Sequence, residues 1–378
     1  MAAIWNFPTR IVFGLGESQR TGEEAASLGI QRALLVTDTG VVSAGLTDGV
    51  LTSLSRSGIK VHTFAGVDSN PTEQNIEDGA NAYAAHRADG VIALGGGSPI
   101  DAAKLIALRA RTDRPFEELD DAVGGGRYVP SDVPPLVALP TTAGTGSEVG
   151  RSGVLTLRSS HRKTVIFSPH LLAKVAILDP ELTRSMPPRT TAATGFDALT
   201  HCIESYLARG DHPMADAIAL SGIDLIAKHL PLAVTDGNNL EARGAMMKAA
   251  MMGAVAFQKG LGACHSLAHP LSSECGLHHG LANALCLPAV LRFNQRGAIE
   301  RVLHVGLLVG ADAREGACAE AVLAFRTELG LPAGLRAVGV DPSLLPRLAD
   351  LAFEDACHRE NPVPCTRDDL LGLYQAAL

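Results

Sequence analysis

The sequence predicts a mostly parallel α/β sheet domain over residues 1–185 followed by an all-helical domain over residues 186–378. Three observations carry this expectation. The chain has 378 residues, more than a single hydrophobic core usually serves. Up to about residue 180, short apolar runs alternate with segments of helical period, the pattern of a parallel sheet covered on both faces. After "SMPPRT" (185–190) the strand signals fade, and Ala-, Leu- and Met-rich segments continue to the end.

Taken in order, the clearest strands are "ALLVTD" (33–38), "VIALGGG" (91–97), "PLVALPTT" (135–142) and "KVAILDP" (174–180). Between them, "TEQNIEDGANAYAAHRA" (72–88) and "PIDAAKLIALRAR" (99–111) combine helical period with good helix formers. In the second half, "PPRTTAATGFDALTHCIESYLA" (187–208) and "EARGAMMKAAMMGAVAFQKG" (241–260) read as helices. Met246, Met247, Met251 and Met252 are expected to fill core space.

Composition narrows the function classes. Hydrophobic residues make up 46% and charged residues 19%, the balance of a folded globular chain. The net charge is −8 with no clustered Lys or Arg, so no nucleic-acid or anionic-lipid partner is expected. The N-terminal segment lacks the pattern of a secretory signal, and no 18 apolar residues run unbroken, so a cytoplasmic protein without a membrane span is expected. Seven cysteines without a CxxC spacing are expected to be free thiols.

The stretch "GVIALGGGSPIDAAK" (90–104) is a strand, three glycines, Ser98 at the expected N-cap, and a helix. Glycines allow a phosphate to approach the backbone, and the first N–H groups of a helix attract an anion. A tight strand-to-helix turn needs glycine for its own sake, however, so this turn alone does not establish a ligand. Two further strand ends strengthen the reading. Asp38 follows "LLVTD", where a carboxylate can bond a ribose diol and repel a 2′-phosphate. "LPTTAGTGSEVG" (139–150) ends another strand in a hydroxyl-rich turn. Three such turns at strand ends together predict a dinucleotide site.

A metal site is predicted from imidazoles. Asp197 and His201 are spaced i, i+4 and share a helix face; His265 and His269 repeat that spacing; His278 and His279 follow a glycine-containing turn. An isolated Asp/His pair is usually a surface hydrogen bond. Four histidines within fifteen residues, in a stretch whose one charged residue is Glu274, favour a bound ion. Spacing does not choose among the four. Imidazoles with a carboxylate suit Fe(II) or Zn(II) without any thiolate.

The words "GGGSPIDAAK", "PTTAGTGSEV", "VAILDPELT", "GFDALTHCIESY" and "HSLAHPL…LHHG", in this order, resemble the iron-containing (group III) alcohol dehydrogenases over about residues 12 to 294. The resemblance implies a Rossmann-like α/β domain, an all-α domain, and one divalent ion in the cleft between them, the dehydroquinate synthase-like fold. It implies Asp197, His201, His265 and His279 as ligands, and His269 as a residue near the substrate that does not bind the metal; proton relay between the alcohol oxygen and solvent is the role expected of His269 in catalysis. It implies Asp38, Asn70, Gly96, Gly97, Ser98, Asp101, Thr141, Thr142 and Lys163 as NAD-binding positions. One departure is Ser168, where many members have Asp.

Within the family, "VAFQKGLGACHSLAHPL", "PAVLRFN" and "CHRENP" are most similar to the 4-hydroxybutyrate dehydrogenase branch. This implies an NAD-linked, metal-dependent interconversion of 4-hydroxybutyrate and succinate semialdehyde, with another short alcohol or aldehyde as the alternative. A carboxylate substrate calls for a cation, and Arg151 and then Arg359 are the candidates, against the alternative of structural ion pairs. A metal-dependent lyase on the same fold, a metal hydrolase and a non-catalytic binding protein are the rival readings. The family resemblance also implies a homodimer or larger assembly.

Overall fold

The computed structural model describes residue 7, residues 9–159 and residues 162–378, and the chain divides into two compact units. The first six residues of the expected α/β domain lie outside the described residues. One unit spans Phe7–Thr142 and Gly146–Ser185; the other contains Ala143–Thr145 and Met186–Leu378.

The first unit runs β1 (Arg10–Phe13), α1 (Thr21–Ser27), β2 (Arg32–Val36), α2 (Thr39–Ser43), α3 (Thr47–Arg56), β3 (Lys60–Phe64), α4 (Glu73–His86), β4 (Gly90–Gly95), α5 (Gly97–Arg109), α6 (Phe116–Leu119), β5 (Leu136–Pro140), β6 (Ser152–Thr156), β7 (Lys163–Phe167) and β8 (Val175–Leu178). Six strands form a wholly parallel sheet in the order β1-β8-β5-β4-β2-β3. Alternate residues supply its two faces. Leu34, Val36, Val91 and Ala93 pack with Ile76 of α4 and Ile106 of α5. Ala33, Leu35, Ile92 and Leu94 pack with Ala25 of α1 and Leu54 of α3. A strand buried on both faces reads as a continuous apolar run, and so β2, β4, β5 and β8 lie where the sequence predicts strands. β3, with Lys60, His62 and Thr63 exposed at the sheet edge, carries no such run. β6 and β7 pair separately as an antiparallel hairpin.

The second unit is helical: α7 (Pro188–Leu207), α8 (Pro213–Thr235), α9 (Leu240–Ala256), α10 (Ala263–Cys275), α11 (His279–Leu308, with a break in helical geometry at Ala298), α12 (Ala317–Glu328), α13 (Leu345–Glu354) and α14 (Arg367–Ala377). α8 is long and apolar enough to cross a membrane. It nevertheless packs against α7 and α9 with Ala219, Ile223 and Ile226 fully buried. Its Asp216 bonds Lys259 Nζ at 2.5 Å and also pairs with Arg301. Met246 and Met247 are buried as expected, whereas Met251 and Met252 are half-buried.

Candidate active site

Three loops leave the carboxyl ends of adjacent strands β5, β4 and β2. β2 leads to β3 on one side, while β4 lies on the other, a reversal of strand order that opens a crevice beyond the strand ends. Asp38 follows β2, the glycine turn follows β4, and Thr141 and Thr142 follow β5. At the turn, Gly95 has φ +155°, and a Cβ on it would lie 2.5 Å from the Pro99 ring. A Cβ on Gly96 would stand 3.3 Å from the Thr142 side chain. Bare backbone is therefore required where α5 begins.

Gly96 is the N-cap of α5, and no side chain caps the helix, so its N-terminal N–H groups suit a pyrophosphate. This corrects the expectation for Ser98, which lies inside the first turn because Gly96 takes the extended cap conformation. The Ser98 hydroxyl instead donates to Ser69 O at 2.7 Å, tying the glycine turn to the loop that carries exposed Asn70. Thr141 N donates to Gly95 O at 2.9 Å. Asp38 caps α2 by accepting from Val41 N at 2.8 Å. Asp101 accepts from Ser147 Oγ and from Val154 N (3.2 Å), with Lys104 Nζ 3.6 Å away. Half-buried Lys163 is lowered from the usual lysine range by burial, against the attraction of Asp101.

In the helical unit, α7 presents Asp197, His201 and Glu204 at i, i+4 and i+7, one face of the helix. α10 presents His265 and His269, and α11 starts at His279. Ligand atoms of Asp197, His265 and His279 lie within 4.8 Å of one another. The His201 ring stacks on His265 with centroids 4.7 Å apart, and His269 stacks on His279 at 5.2 Å. Asn283 Nδ2 sits among them, donating to Asp197 Oδ1 at 2.8 Å, with His279 Nε2 and His265 Nε2 at 3.3 and 3.4 Å.

Small residues permit this convergence. A Cβ on Gly280 would come 2.2 Å from Ala193 O, so the start of α11 touches the α7 backbone. A Cβ on Gly253 of α9 would come 3.0 Å from His201 Cβ.

The donor set suits a divalent cation. Burial favours a neutral Asp197, but His201, His279 and His265, with the Asn283 bond, bring it down to about 2. Burial takes His201 to about 4 despite Asp197, and takes His279 well below the usual imidazole range. Burial also opposes charge on His265, but its bond to Glu204 outweighs this and raises it. His201 Nδ1 is buried without a hydrogen-bond partner. An ionised Asp197 beside imidazoles that burial keeps neutral at His201 and His279 is the protonation state that a metal requires.

A second cluster adjoins the first. His269 Nδ1 lies 2.8 Å from Asp355 Oδ2, and Asp355 Oδ1 accepts from Ser266 Oγ (2.7 Å) and Cys357 N (2.8 Å). Burial opposes ionisation of Asp355, but His269 and these bonds hold it well below the usual carboxylate range. His278, the N-cap of α11, is exposed.

Residues 8–180 match the family described as iron-containing alcohol dehydrogenase, and residues 191–378 match the C-terminal part described for the same family. The chain belongs to the iron-containing alcohol dehydrogenases. It is 41% identical to 4-hydroxybutyrate dehydrogenase of Cupriavidus necator, covering 100% of both proteins. A crystal structure of 1,3-propanediol oxidoreductase matches it with a TM-score of 0.95 and 34% identity, covering 100% of both chains. Sulfoacetaldehyde reductase from Bifidobacterium kashiwanohense, in complex with NAD+, matches with a TM-score of 0.91 and 31% identity, covering 100% of this chain and 99% of that one.

In this iron-containing alcohol dehydrogenase, three residues beside the expected ones were not singled out from sequence. Glu204 lies three residues after His201 and seven after Asp197, and Asn283 four after His279, so helical spacing could have found both. Asp355 is 86 residues from His269 and gives no local signal. Of the two arginines, Arg151 is half-buried with its guanidinium 5.1 Å from the centre of the Phe167 ring, and no carboxylate pairs with it among the described residues. Arg359 is exposed on the 3₁₀ turn that follows Asp355. Ser168 is buried, and its hydroxyl accepts from His170 N at 3.3 Å, the capping role a carboxylate would fill.

Proposed function

We propose that this dehydrogenase interconverts 4-hydroxybutyrate and succinate semialdehyde with NAD, using Fe(II) held by Asp197, His201, His265 and His279. Zn(II) suits the same donors. The observation that carries the reading is the meeting of ligand atoms of Asp197, His265 and His279, from α7, α10 and α11, with the buried His201 ring stacked on His265. Full-length identity to a 4-hydroxybutyrate dehydrogenase supports the substrate. Likeness to 1,3-propanediol oxidoreductase keeps another short alcohol as the second reading.

When bound, the divalent ion supplies Lewis acidity toward an alcohol oxygen, and NAD supplies the hydride acceptor. The remaining work belongs to the side chains. Asp355 holds His269 Nδ1, which leaves His269 Nε2 to pass the hydroxyl proton toward solvent. The bare backbone at Gly96 and Gly97, with Ser98, Thr141 and Thr142, receives the pyrophosphate, while Asn70, Asp101 and Lys163 complete the cofactor positions. Asp38 receives the ribose and selects NAD. Arg151, which lacks a carboxylate partner among the described residues, and Arg359 are the cations offered to the substrate carboxylate.

The same reading places a cofactor domain over 1–185 and a metal and substrate domain over 186–378, in a cytoplasmic enzyme that assembles as a homodimer or larger. Exposed Phe13 and Leu15, at the end of edge strand β1 and just beyond it, support assembly.

The test reloads metal-stripped protein with Fe(II) or Zn(II) and follows NADH oxidation with succinate semialdehyde and with butanal. A preference for the charged aldehyde of about 100-fold or more in kcat/KM is expected. Arg151→Ala or Arg359→Ala should raise KM for that substrate and leave butanal unaffected. Equal use of butanal overturns the substrate assignment, and activity without any ion overturns the metal site.

A further inference from the structure

Glu204 faces three N–H donors. Its Oε1 accepts from Cys264 N at 2.6 Å, and its Oε2 accepts from His265 N at 3.3 Å and from His265 Nδ1 at 2.6 Å. Both Glu204 and His265 are almost completely buried, so water cannot substitute for these bonds. The first two donors belong to the opening turn of α10, where a helix leaves its N–H groups without internal partners. A third, Ala263 N, is taken by Asn361 Oδ1 at 3.2 Å. The cap residue Gly262 offers no side chain to do this, and a Cβ there would lie 2.7 Å from Glu204 Oε1 and 2.9 Å from Asn361 Oδ1. The glycine before "ACH" is therefore the space through which two distant side chains reach the helix start.

We infer that Glu204 is a positioning residue that locks His265 in its Nδ1–H tautomer, so that its unprotonated Nε2 faces Asp197 and His279, and thereby sets the affinity of the centre for a divalent ion. The inference rests on the metal site of the proposed function. The bond to Nδ1 requires a proton there because a carboxylate only accepts. That leaves the lone pair on Nε2, the atom beside the Asn283 amide at the meeting point of the ligand atoms. A carboxylate behind a ligating histidine orients the ring and strengthens it as a donor. Here the same carboxylate also anchors the helix start, which couples the seating of α10 to the aim of its first ligand.

Glu204→Gln separates the two roles. The glutamine amide still accepts on one side, but its NH₂ must meet a donor on the other. With the NH₂ toward the ring, its repulsion with Nδ1–H is relieved when His265 moves its proton to Nε2 and Nδ1 accepts. The experiment records the ¹⁵N resonances of histidine-labelled, metal-free protein at a pH where His265 is neutral, assigned with His265→Gln, and measures Zn(II) affinity by chelator competition.

In the wild type, His265 should be the Nδ1–H tautomer. In Glu204→Gln it should be the Nε2–H tautomer, with Zn(II) affinity reduced by about 10- to 100-fold. Asn361→Ala removes a bond at the same helix start without touching the ring, and should leave both the tautomer and the Zn(II) affinity as in the wild type. A wild-type His265 carrying its proton on Nε2 overturns the inference even if Glu204→Gln does not fold. So does a folded Glu204→Gln with wild-type Zn(II) affinity, or an Asn361→Ala that loses Zn(II) equally. A wild type that binds no Zn(II) or Fe(II) overturns the proposed function and this inference with it, and the tautomer, read without metal, tells that failure apart from a misplaced role for Glu204.

Discussion

Single side chains in this enzyme often perform a structural and a chemical task together, which dictates how they must be tested. Asp38 is proposed to receive the cofactor ribose, but it also caps α2 through Val41 N. Asp38→Asn keeps a capping oxygen and removes the charge, whereas glycine loses the cap bond as well. The asparagine variant should lower the NAD-to-NADP preference in kcat/KM by about 10-fold with an unchanged Tm; an unaltered preference would remove the ribose role. Glu148 offers a second case. Burial, opposed by a backbone hydrogen bond and by Lys104, pushes its carboxyl up to about 7. The folded state thus favours the protonated form. Its contribution to stability is complete below the ordinary value of 4.5 and is lost as pH rises through about 7. Glu148→Gln should therefore gain stability relative to the wild type between pH 4.5 and 7.5, read as a widening difference in Tm. A constant difference would place the charge elsewhere.

At the scale of elements, close helix contacts govern the geometry of the proposed metal ligands. His279 reaches Asp197 because Gly280 lets the start of α11 rest on Ala193 O, where a Cβ would come to 2.2 Å. An atom cannot be accommodated there without moving one backbone, since interiors are close-packed. Gly280→Ala should destabilise by about 1–3 kcal/mol as an overpacking change. It should also lower Zn(II) affinity, which a purely structural alanine elsewhere on α11 would not do. Calorimetry with and without Zn(II) checks both effects, and wild-type affinity in a folded Gly280→Ala would count against the contact. In the sheet unit, α5 begins on an extended Gly96, and this moved the cap from the expected Ser98. Serine is a strong N-cap by composition, but a glycine turn that keeps its backbone bare leaves the helix start uncapped by any side chain.

For the whole molecule, all four proposed metal ligands belong to one compact unit and most of the proposed cofactor positions follow sheet strands in the other. Ligand binding should protect each unit at its own residues. Hydrogen exchange with Zn(II) is expected to slow amides in α7, α10 and the start of α11, and exchange with NADH to slow the β4–α5 turn. Zn(II) protection confined to the sheet unit would place the ion elsewhere.

The sequence by itself determined the α/β-then-helical order, the strands β2, β4, β5 and β8, and the imidazole-rich stretch. These signals are local: a doubly buried strand must be apolar throughout, and ligands one helical turn apart share a face. The motif words also pointed to the family that the full-length matches show. Edge strand β3 left no such trace because its side chains are exposed. Only the tertiary structure brought Asp355 to His269 across 86 residues and Glu204 to the start of α10 across 60, and set Asn283 among Asp197, His265 and His279. Those partnerships depend on how helices distant in sequence pack, and a buried hydrogen bond is chosen by the space between them, which no local pattern records.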